Sequence, residues 1–147
     1  MGLIDDIGPG NVGIDTSIFI YFIEEAPQYL PALAPLFQDA DDGRRELIAS
    51  AVTLLEVLVV PYRAGNHALA ERYEALLTRS RGVQLIDLTS DQLRRAAQIR
   101  AATGARTPDA LQMAAALSAQ CAAFVTNDRR LPAVPGLRII QLAAYAA

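Results

Sequence analysis

Lysine is absent from this chain: all 13 basic residues are arginine. Base composition of the genome is one explanation of such a bias, so its value is in what it excludes. Phosphate-accepting signalling domains and aspartate-nucleophile phosphatases need a lysine at the active centre, and the GxxxxGK phosphate loop is missing too. The single cysteine, Cys121, rules out an internal disulfide framework and is compatible with a reducing compartment. Its helical spacing with Ala110, Ala114 and Leu117 predicts a packed core thiol. The one histidine, His67, follows Gly65 and Asn66 at a predicted helix start and is read as a surface residue. A Cys–His nucleophile pair is therefore not expected.

No apolar run is long enough for a membrane span, and the opening MGLIDDIGPG lacks the basic-then-apolar pattern of a secretion signal, so a cytoplasmic location without membrane contact is expected. Net charge is −3, the wrong sign for nonspecific nucleic-acid binding by bulk charge. Neither a Gly/Ser- or Pro-rich linker nor an internal repeat divides the 147 residues, of which 52% are hydrophobic. That favours a single domain over residues 11–147, after a loose, flexible lead-in at 1–10 that contains Gly8, Pro9 and Gly10.

Short β-branched or apolar runs occur at Asn11–Ile14, Leu47–Ser50, Val83–Asp87, Ala123–Thr126 and Arg138–Leu142. Longer stretches with helical spacing separate them, which predicts an α/β fold with a mostly parallel sheet of about five strands between two helical layers. Leu69, Tyr73, Leu76 and Leu77 mark an amphipathic helix opening at Asn66. Thr89 with Gln92 is a capping-box pattern ahead of a helix that stops at Gly104. Thr107 and Pro108 read as the N-cap and first-turn proline of another helix, with Asp109 following.

Four acids stand out. Asp15 directly follows the first strand, and Asp128 follows "AFVTN" at the equivalent place on a later one, the edge where open parallel sheets bind ligands. Asp109 opens the helix that leads to that later strand. Aspartate at a helix start is also favoured by capping and by the helix dipole, so each of the three has an ordinary structural explanation. Glu56 interrupts the apolar VTLLEVLVV and needs either a cation or a path to water. Pro61 is expected to kink or end the helix that carries it. Gathered in one cleft, the four would repel one another. Hard divalent cations relieve that repulsion, because Mg²⁺ and Mn²⁺ take carboxylate oxygens and leave positions for water and phosphate.

In order, "GIDTSIFIYFIE", "SAVTLLEVLVVPYRAGN", "RTPDALQMAAAL" and "FVTNDRRL" resemble the four signature segments of PIN-domain nucleases, most of all the VapC-type toxins of toxin–antitoxin pairs. The resemblance spans about residues 11–142. It implies a Mg²⁺- or Mn²⁺-dependent endoribonuclease in which Asp15, Glu56 and Asp109 are the core metal-binding acids and Asp128 the more variable fourth. Thr16 and Thr126 match small hydroxyl positions beside the acids, with capping and strand-end hydrogen bonding as their ordinary roles. The resemblance also implies an RNA substrate, a cognate antitoxin and a homodimer. Because an acidic pocket repels RNA, arginines must flank it: Arg44, Arg45, Arg63, Arg106, Arg129 and Arg130 lie near the signature segments, and Arg129 and Arg130 are the leading candidates for substrate contact. The alternative is a PIN-like binding or scaffold module with little turnover.

Overall fold

In the computed structural model, which describes residues 2–147, five strands form one parallel sheet. They are β1 (Val12–Ile14), β2 (Leu47–Ser50), β3 (Val83–Ile86), β4 (Ala123–Thr126) and β5 (Ile139–Gln141), in the order β3-β2-β1-β4-β5. The helices are α1 (Leu3–Ile7), α2 (Thr16–Ile23), α3 (Leu30–Asp41), α4 (Val52–Arg63), α5 (His67–Arg79), α6 (Ser90–Thr103) and α7 (Thr107–Ser118). A 3₁₀ turn over Leu142–Tyr145 follows β5. Among the described residues no helix is long and apolar enough to cross a membrane.

Strand alternation builds two cores, one on each face of the sheet. Val12 and Ile14, Leu47 and Ala49, and Ala123 and Val125 meet residues of α1, α2, α3 and α5 on one side. Ile48 and Phe124 point the other way, against α6 and the alanine-rich face of α7. This is the three-layer α/β/α arrangement expected from the sequence. Its acid-bearing segments lie at the carboxyl ends of β1 and β4.

Several local expectations are met by the predicted chemistry. Asn66 caps α5 by accepting from the Leu69 amide at 3.1 Å, and Thr89 caps α6 by accepting from the Gln92 amide at 3.2 Å. Gly104 ends α6 in the left-handed conformation, φ 76°. Others need correction. Arg106, not Thr107, is the N-cap of α7, without a side-chain cap bond. Cys121 is buried as expected, but in the connection after α7 and not on the helix.

The lead-in is not loose where it is described. Leu3 and Ile7, one turn apart on α1, are buried in the larger core. Arg138 donates to the carbonyls of Asp6 and Ile7, both at 2.8 Å, and Arg45 to those of Gly8 and Gly10, at 3.0 and 3.2 Å. Two guanidiniums thus satisfy backbone that Gly8, Pro9 and Gly10 leave irregular. Met1 lies outside the described residues.

α7 crosses β1 at unusually close range, and Gly13 makes this possible. A Cβ there would lie 2.7 Å from both Ala116 Cβ and Phe124 Cδ1, inside any ordinary contact distance. Gly13→Ala should therefore force α7 off the sheet and cost about 1–3 kcal/mol of stability, measured by chemical denaturation. Unchanged stability would show that the helix can retreat freely.

Candidate active site

β1 delivers Asp15 to the rim. Asp15 caps α2 from extended backbone, and its Oδ1 accepts from the first helical amide, Thr16 N–H, at 2.7 Å. Its Oδ2 accepts from Thr126 Oγ1–H at 2.5 Å, so the ends of β1 and β4 are tied through one carboxylate. Burial raises the Asp15 pKa. The hydrogen bonds from Thr126 and Thr16 oppose that rise, and the negative charges of Asp109 and Glu56 add to it. Asp109 and Glu56, both far from Asp15 in sequence, are thus close enough to act on it electrostatically.

Glu56 reaches the same place from α4. Its apolar sequence neighbours do not bury it, because Leu55, Val59 and Val60 are 63%, 41% and 66% exposed on the outer side of the helix. The half-buried carboxylate instead faces α2 and α7, where Oε1 accepts from Thr16 Oγ1–H at 2.6 Å and from Gln112 Nε2–H at 2.9 Å. Pro61 neither ends nor displaces this turn. The helix continues to Arg63, and the backbone donor that Pro61 lacks would have served the Val57 carbonyl, beyond Glu56.

Asp109, in the first turn of α7, accepts from Arg106 Nε–H at 3.2 Å. Asp128 accepts from the Arg130 backbone amide at 2.9 Å and from Arg130 Nε–H at 3.1 Å, and these bonds lower its pKa. Arg106 also lies 3.8 Å from Asp128, so one guanidinium spans both acids. Asp15, Thr16, Glu56, Asp109, Asp128 and the two arginines, Arg106 and Arg130, line one open cleft of about 440 Å³.

The arginines and threonines are sorted differently from the sequence expectation. Arg129 is exposed and does not line the cleft, while Arg106 does. Arg44 and Arg45 precede β2, at the opposite edge of the sheet, and pair with Asp39. Arg63 ends α4 away from the acids. Thr126 is fully buried and donates to Asp15 while accepting from the Asp128 amide at 3.0 Å, so it holds the acids and cannot reach a substrate. Thr16 is likewise engaged through its hydroxyl with Glu56, Thr53 and Gln112. Gln112 and Thr53 belong to the site although the sequence pattern does not single them out. Their one signal is the rarity of polar side chains on otherwise apolar helix faces, with Gln112 one turn beyond Asp109.

The PIN-domain family model matches residues 12–137. The chain belongs to the PIN-domain family. No curated protein is similar enough in sequence to count as a relative. Solved structures share the fold of this PIN domain at low identity. VapBC2 from Rickettsia felis bound to a promoter DNA fragment is similar with TM-score 0.67 and 16% identity, over 90% of this chain and 98% of that one. A toxin–antitoxin complex from Klebsiella pneumoniae gives 0.62 and 20%, over 92% and 98%. DNA-bound VapBC from Salmonella typhimurium gives 0.62 and 22%, over 92% and 99%.

Whether this PIN domain's acids suit a metal can be judged from their chemistry. Among the described residues no three acid, histidine or cysteine side chains are already drawn together around one point, and each acid accepts from a protein donor. Yet among the described residues no cationic side chain binds Asp15 or Glu56, and Asp15 feels two neighbouring negative charges. An all-oxygen donor set with uncompensated charge fits a hard divalent ion.

The raised pKa gives a sign that can be tested. Ionised Asp15 is less favourable in the folded than in the unfolded chain; the penalty is absent below the ordinary aspartate range and grows as pH rises through the folded value. In EDTA at pH 7, Asp15→Asn should be more stable than wild type, with the advantage vanishing below about pH 4. A less stable variant at pH 7 would mean that the bonds from Thr16 and Thr126 outweigh burial and repulsion.

Proposed function

We propose that this PIN domain is a divalent-metal-dependent endoribonuclease and the toxin of a toxin–antitoxin pair. The observation that carries the reading is the convergence of Asp15, Glu56, Asp109 and Asp128 on one cleft at the carboxyl edge of the sheet. Membership of a nuclease family supports hydrolysis as the chemistry, and the toxin–antitoxin complexes that share the fold support the biological setting.

Asp15, Glu56 and Asp109 would hold Mg²⁺ or Mn²⁺, with Asp128 beside them. When bound, such an ion supplies Lewis acidity and a water acidic enough to attack a phosphodiester at neutral pH. The chain's own contributions are positional and electrostatic. Thr126 and the Thr16 amide orient Asp15, while Thr16 and Gln112 orient Glu56. Arg106 and Arg130, exposed at the rim, exchange their carboxylate partners for phosphate oxygens when RNA enters, and the guanidinium fork suits that contact. Leu55, Val59 and Tyr62, spaced along α4 next to Glu56 and 63%, 41% and 53% exposed, suit a protein partner, either the antitoxin or a second copy in a homodimer.

Structured RNAs incubated with Mn²⁺ should be cut by the wild type, and EDTA should abolish cleavage. Asp109→Asn should lose about 100-fold or more in rate, since loss of groups that merely support a metal ligand already costs 10–100-fold. RNA that is bound but never cut in Mn²⁺ would support a scaffold module instead. In binding assays, Arg106→Ala with Arg130→Ala should reduce the slope of log affinity against log salt by about 0.7 for each phosphate left without its arginine. An unchanged slope would remove both arginines from the RNA-binding surface.

A further inference from the structure

We propose that Gln112 is a positioning residue for Glu56: its amide occupies one carboxylate oxygen and leaves the other to face an ion. The inference rests on the metal-dependent reading above and goes beyond the acids themselves. Gln112 is 3% exposed on α7, on a helix whose other buried side chains are alanine, leucine and methionine. Its Nε2 donates to Glu56 Oε1 at 2.9 Å and to Thr16 Oγ1 at 2.7 Å. The amide cannot be turned over, because a carboxylate offers only acceptors and would then face the carbonyl oxygen.

The cost of this arrangement is visible. With Nε2 committed to the site, the buried Gln112 Oε1 has no hydrogen-bond partner among the described residues. An apolar side chain of similar volume would pack the same space without an orphaned acceptor, so stability alone does not explain the glutamine. What it supplies is orientation. Thr16 and Gln112 both donate to Oε1, and among the described residues no protein donor engages Oε2. The glutamate is thus held by one oxygen, and Glu56 lines the cleft together with Asp15 and Asp109.

The test is Mn²⁺ binding, followed by the electron paramagnetic resonance signal of free Mn²⁺, on wild type, Gln112→Met, Glu56→Gln and the double variant. Thermal denaturation without metal is run alongside. Gln112→Met should keep or raise the melting temperature and lose about 10–100-fold in Mn²⁺ affinity. In the Glu56→Gln background it should cause no further loss, since the group it positions has gone. In RNA cleavage, kcat at limiting Mn²⁺ should fall and recover at saturating Mn²⁺, with KM for RNA unchanged. Should Gln112→Met fail to fold, Gln112→Leu serves as the donor-free variant, with Thr16→Val removing the second donor to Oε1. Wild-type Mn²⁺ affinity in the donor-free variant overturns the proposal, as does a full additional loss on top of Glu56→Gln. A wild type that binds no Mn²⁺ defeats the metal reading itself and this inference with it, a result distinct from either of the others.

Discussion

Like charges brought together at the edge of a parallel sheet have to be restrained by something, and around Asp15 and Glu56 the restraint comes from hydroxyls and two amides, the Thr16 backbone N–H and the Gln112 side chain. Asp15, Glu56 and Asp109 arrive from β1, α4 and α7, and the Asp15 pKa is raised by burial first, with the other two acids adding to the rise. Thr126, Thr16 and Gln112 hold Asp15 and Glu56 with short hydrogen bonds that bring no positive charge. Neutral donors fix geometry without cancelling the field. Had lysine or arginine done this work, the cleft would be electrostatically satisfied and would have less affinity for a cation.

The arginines sit one step further out. Arg106 and Arg130 are paired with Asp109 and Asp128 at the exposed rim, where ion pairs are weak and easily exchanged. The cleft thus grades from buried, neutral-donor contacts around Asp15 to charge pairs with exposed arginines at the mouth. Such a gradient suits an ion held inside and a phosphate backbone passing outside. It would also reconcile an acidic chain with the proposed RNA substrate, since the positive charge at the cleft is local and not global.

The scaffold serves this edge by close packing. Gly13 lets α7 lie directly against β1, which brings Gln112 near the start of α2 and within reach of Thr16 and Glu56. The opposite edge is closed by different means: Arg45 and Arg138 bind the carbonyls around α1, and Asp39 pairs with Arg44 and Arg45. Arginines of similar sequence context therefore have opposite duties, one group structural beneath the sheet and the other at the cleft.

The residues alone determined the alternation of strands and helices beyond the lead-in, the helix starts at Asn66 and Thr89, the stop at Gly104 and the acids that mark the family. These depend on short-range rules of periodicity, capping and turn chemistry, which a linear reading can apply. Tertiary structure decided what lies across the fold. The Thr16 to Gln112 contact joins residues 96 apart and the Thr126 to Asp15 contact residues 111 apart, so no local pattern announces either. For the same reason Arg106 replaced Arg129 at the cleft, and Leu3 and Ile7 turned an irregular-looking lead-in into a packed helix. Which side chains meet depends on how the crossover helices lie on the sheet, and that follows from packing of the whole chain.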